Sequence, residues 1–162
     1  MNFTEALLFI FTGTLGTIGF SLLFKMDWKF LPWATLCGTV ACIVYVPVDN
    51  WMGSVFISNF IAAIVVTIYS EIFSRICRTP TTMFIIAGMI PFVPGSALYY
   101  TMSNLISGDS EMALSKFITT ILVIVGLAFG VAAGSILVAI FKDIARSYSI
   151  RKMTRKAKKT QS

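Results

Sequence analysis

Phe117 to Phe141 reads FITTILVIVGLAFGVAAGSILVAIF, a run without one charged side chain. At 1.5 Å of helical rise per residue it spans the roughly 30 Å hydrocarbon core of a bilayer. Neither end of the run turns the pattern amphipathic, so no face is left for water. The stretch predicts a membrane-spanning helix over about Lys116 to Phe141, and the rest of the chain repeats the pattern.

Four further apolar runs precede it: about Phe3 to Phe24, Leu31 to Val46, Trp51 to Phe73, and Pro80 to Met102. The 162 residues are 57% hydrophobic and only 12% charged. A soluble domain carries charge on about a quarter of its residues, so a water-soluble bundle is excluded. The expected fold is all-α and integral to the membrane. Residues 1–141 form a domain of five transmembrane helices, and residues 142–162 form a basic cytoplasmic tail. The first run has no basic flank, only Glu5, and reads as a retained helix rather than a signal peptide.

Short polar segments separate the runs. Lys25 to Lys29 forms a charged loop, Pro47-Val48-Asp49-Asn50 a tight turn, Ser74 to Thr79 a basic loop, and Ser103 to Ser115 a polar loop. Their basic residues set the orientation. Lys25 and Lys29 lie at one membrane face, as do Arg75, Arg78 and the eight lysines and arginines from Lys142 to Lys159. The intervening ends carry only Lys116, beside Asp109 and Glu111. This alternation requires an odd number of crossings, with the N-terminus outside and the C-terminus in the cytoplasm. It places the protein in the cell (inner or plasma) membrane as a multi-pass protein. The net charge of +6 comes from the tail, which suits anionic lipid rather than nucleic acid.

The fourth run is interrupted. Pro91 and Pro94 lack amide donors and clash with the preceding turn, and Gly95 follows. A helix broken at Pro91–Gly95 leaves backbone groups that must face protein or water. The second half-helix would open near Gly95 and Ser96, with Tyr99 one turn on. Its free amides and positive dipole end suit a carboxylate. A simple proline kink is the alternative.

In the third run Asn59, Ala63, Thr67, Ser70, Glu71 and Ser74 share one face. Asn59 reads as deep in the membrane, and Asn59 and Thr67 are candidates for ligand contact or helix–helix hydrogen bonding. Glu71 is a candidate gating or proton-linked carboxylate, with an interfacial pair to Arg75 as the plainer reading. Gly126, Gly130 and Gly134 make a doubled GxxxG, and Gly13, Thr17 and Ser21 a similar stripe, both expected to pack helices closely. Three isolated cysteines and no histidine leave no metal site, and no motif calls for a cofactor. No catalytic constellation appears, so an enzyme is not expected.

Three segments carry a family resemblance: Ile68-Tyr69-Ser70-Glu71-Ile72, Arg78-Thr79-Pro80-Thr81-Thr82, and Ile90-Pro91-Phe92-Val93-Pro94-Gly95-Ser96-Ala97-Leu98-Tyr99. Over about residues 5 to 140 the chain resembles the smaller half of the threonine/serine exporter family. The resemblance implies export of threonine and serine, or of succinate in the form split into two subunits. It also implies a larger membrane subunit as partner, with self-association a second expectation. The resulting expectation is a subunit of a secondary exporter for small carboxylates or amino acids, driven by an ion or substrate gradient. A scaffold that stabilises its partner without transporting is the alternative.

Overall fold

In the computed structural model, the backbone is described for residues 3–160 and side chains for residues 3–144. Each apolar run folds as helix: α1 (Phe3–Leu23), α2 (Leu31–Met52), α3 (Val55–Cys77), α4 (Thr81–Met89), α5 (Gly95–Ile106) and α6 (Ser110–Thr160). A 3₁₀ turn, Ile90–Phe92, follows α4. Four stretches, α1, α2, α3 and residues 110–144 of α6, are long and apolar enough to cross a membrane. Residues 81–92 and 95–106 pass the same test together, bent by 47°, and make a fifth crossing when taken as one span. The side chains of most of the basic tail, and so its expected contact with anionic lipid, lie outside the described residues.

Several boundaries differ from the sequence reading. Pro47 does not end α2. The helix runs through it to Met52, and Pro47-Val48-Asp49-Asn50 is helical rather than a tight turn. A proline forfeits one intrahelical bond, which a membrane helix tolerates. The stop is Gly53, in the left-handed region at φ 60°, whose amide bonds the Asp49 carbonyl at 3.0 Å. The third helix therefore begins at Val55 and continues to Cys77, closed by Arg78 at φ 55°. Asn59 thus lies in its second turn, not deep in the span. The polar loop shrinks to Ser107-Gly108-Asp109, because Asp109 caps α6 through the Met112 amide at 3.0 Å.

The bundle is closed by small residues. A Cβ on Gly126 would lie 2.8 Å from the Phe56 carbonyl oxygen, and one on Gly130 would lie 2.5 Å from that of Phe60. One on Gly134 would meet the Thr67 side chain at 2.8 Å. Backbone carbonyls cannot turn aside, so only glycine admits this approach of α6 to α3. On the other side α1 lays Gly13, Thr17 and Ser21, all buried, against α2 and the helix break. Two buried threonines at these seams return their hydroxyls to their own helix: Thr17 donates to the Gly13 carbonyl at 2.9 Å and Thr67 of α3 to that of Ala63 at 2.8 Å. Leu8, Phe11, Leu15 and Leu22 of α1 are exposed, as lipid-facing residues are.

Candidate functional site

The interruption of the fourth span is real and local. Three residues of 3₁₀ turn carry Pro91, then Val93 is extended, and Pro94 becomes the N-cap of α5. The Gly95 amide bonds back to the Val93 carbonyl at 2.7 Å, and the first helical bond runs from the Leu98 amide to the Pro94 carbonyl at 3.0 Å. The Ser96 and Ala97 amides are left as the uncapped donors of a helix start. Proline brings no side-chain acceptor to satisfy them.

The two sides of the break differ. Pro91 is half-buried, its Cβ 3.2 Å from where a Cβ on Gly13 would lie, and Phe92 is buried in the core with Cys37, Ala41, Cys42, Ala62 and Val66. Pro94 is half-buried, whereas Gly95, Ser96 and Tyr99 are exposed. A Cβ on Gly95 would meet nothing within 4 Å. The opening of α5 thus faces out of the bundle.

Behind the break lies a polar cluster. Tyr45 and Asp49 stand one turn apart on α2, and Ser58 and Asn59 face them from the start of α3. The Ser58 hydroxyl donates to Asp49 Oδ1 at 3.3 Å and to the Ser54 carbonyl at 3.0 Å. The Tyr45 hydroxyl stands beside both the Asp49 carboxylate and the Asn59 amide. Asn59 is 3% exposed and donates to the Val55 carbonyl at 2.7 Å. The Tyr45 ring packs on Phe92 at 5.5 Å and on Phe9 at 5.2 Å between centroids. Through Phe92 the cluster abuts the break.

The remaining candidates lie elsewhere. Thr67 is fully buried beneath Gly134 in the seam between α3 and α6. Glu71 sits at the other end of that seam. Its Oε2 accepts from Lys142 Nζ at 2.8 Å, while Arg75 Nε is 3.8 Å away. These three line a cavity of about 400 Å³ with Ile68, Ile72, Leu137, Val138 and Phe141. The pair with α6, not the i,i+4 pair, is the closer one. No group of three Cys, Asp or Glu side chains converges among the described residues.

Sequence reasoning missed Tyr45, Asp49, Ser58 and Lys142. The first two carry an i,i+4 signal, but it disappears once Pro47 is read as a turn. Lys142 is 71 residues from Glu71, a pairing that no local pattern reveals.

Apolar helices, outward hydrophobic faces and an interrupted span define a helical multi-pass membrane protein. The family model described as Threonine/Serine exporter, ThrE, matches residues 9–137. The chain belongs to that family, a family of transporters rather than enzymes. The resemblance to the threonine/serine exporter family is thereby borne out. No solved structure matches the chain.

Proposed function

We propose that the protein is one subunit of a secondary exporter that moves small amino acids or small carboxylates out of the cell. Threonine and serine, or a succinate-like dicarboxylate, are its substrates, and a larger membrane subunit completes it. It lies in the cell membrane with its N-terminus outside and its basic end in the cytoplasm. Family membership supports the transport class. The observation that carries the rest is the exposed start of α5. Gly95 and Ser96 present uncapped amides on a face with open space around them. Such a helix start holds a carboxylate, and a wall supplied by another subunit would enclose it.

In this reading Pro91 and Pro94 hold the break open, Gly95 and Ser96 bind the carboxylate, and Tyr99 borders it. Glu71, tied to Lys142, latches the cytoplasmic end. The scaffold reading draws on the same exposure, with the partner transporting alone. The test is efflux of labelled threonine, serine and succinate from cells expressing the chain with and without its larger partner. Faster efflux that needs both chains is expected. Efflux unchanged by removal of this chain overturns the proposal.

A further inference from the structure

Among the described residues the Asp49 carboxylate meets no cation. The ion pairs among the described residues number two, and both belong to Glu71 at the far end of the bundle. Ser58 orients one oxygen of Asp49, and Tyr45 stands beside it, but hydroxyls leave the negative charge uncompensated. In the last turn of α2 the carboxylate also meets the negative end of the helix dipole, which favours a cation beside it. Asp49 is half-buried, so one side of it stays open to an incoming group. The half-buried Tyr45 ring adds aromatic surface of the kind that attracts ammonium ions. Tyr45 packs on Phe92, the last residue of the 3₁₀ turn before the break.

We propose that Asp49, oriented by Ser58, receives the ammonium group of an exported α-amino acid. The proposal rests on the exporter reading and narrows it. An α-amino acid offers a cation to Asp49, whereas a dicarboxylate brings only like charge, which the site repels. The substrates are then amino acids, and succinate-like compounds are excluded at Asp49.

The experiment measures efflux of labelled threonine, its desamino analogue 3-hydroxybutyrate, and succinate. It uses cells holding the full chain and its partner, with wild type, Asp49→Asn, Asp49→Glu and Ser58→Ala compared at matched membrane abundance. Wild type is expected to prefer threonine at least tenfold over both other compounds. Asp49→Asn should lose threonine efflux at least tenfold, and its preference over the desamino analogue should fall towards one. Asp49→Glu should recover part of the preference, and Ser58→Ala should weaken it a few-fold. A wild type that moves threonine, with Asp49→Asn keeping the same preference, overturns the Asp49 proposal alone. An equal loss for all compounds with the preference intact makes Asp49 structural and also overturns it. A wild type that exports none of the three overturns the exporter reading as well.

Discussion

Lys142 of α6 reaches across to Glu71 of α3, Nζ to Oε2 at 2.8 Å, and ties the two helices together beyond the stretch where glycines join them. The Glu71 side chain is 23% exposed and that of Lys142 39%, so the pair is only partly shielded. Partly exposed pairs of this kind contribute about 0.2–1 kcal/mol. Glu71→Gln and Lys142→Gln should each lower the detergent melting temperature by about 1–3 °C, given 2–4 °C per kcal/mol at this chain length. The double variant should lose no more than either single one, and the charge swap Glu71→Lys with Lys142→Glu should restore much of the loss. Additive losses in the double variant would show that the two side chains act independently.

The seam itself should be far less tolerant. Gly130→Leu drives a side chain into the Phe60 carbonyl and Ala63. Overpacking costs about 1–3 kcal/mol where neighbours can shift, and more against fixed backbone. The expected result is loss of monodisperse protein on size-exclusion chromatography. Gly19→Ala, where an added Cβ meets nothing within 4 Å, should be neutral or mildly stabilising. Equal tolerance at both positions would contradict the close approach of α3 and α6.

Gly53 and Pro47 make opposite predictions about where α2 ends. Gly53→Ala places a side chain at φ 60° and should cost about 1–2 kcal/mol. Pro47→Ala restores a helical amide in the last turns of α2 and should be neutral or stabilising. Thermal melts of the two purified variants decide the matter. The reverse order would put the turn back at Pro47.

Gly95 and Ser96 separate a binding site from a kink. Open space around Gly95 means that Gly95→Leu should insert and fold normally, yet it should abolish export by covering the helix start. Ser96→Ala removes one hydroxyl, about 1 kcal/mol, and should reduce export no more than about tenfold because the backbone amides remain. Efflux of labelled threonine at matched membrane abundance gives the order. Wild-type export by Gly95→Leu would move the substrate elsewhere in the molecule.

The fold was legible in the sequence because each helix is announced by an apolar run too long and too uncharged for any soluble element. The break was legible because two prolines and a glycine leave a helix no way to continue. What escaped was the exact placement of helix ends. A proline was weighted above a glycine at the end of α2, although only the glycine adopts the left-handed conformation that stops the helix. That shift hid Tyr45 and Asp49 as neighbours and set Asn59 too deep. Thr67 stands among the ligand candidates because it marks a polar stripe, but only the position of α6 tells that Thr67 itself is covered. The direction in which Gly95, Ser96 and Tyr99 face depends on the 47° bend, which composition does not encode.

The glycine seam has a consequence for motion. Side chains that interdigitate can slide by swapping rotamers, but a helix resting on backbone carbonyls has no such play. The middle lengths of α3 and α6 therefore move as one rigid spine, and spin labels placed on both should hold a fixed separation through any transport cycle. Conformational change falls to the pieces joined by Val93 and Pro94, the only link between α4 with its 3₁₀ turn and α5. The spine supplies the stationary frame against which that hinge can be measured.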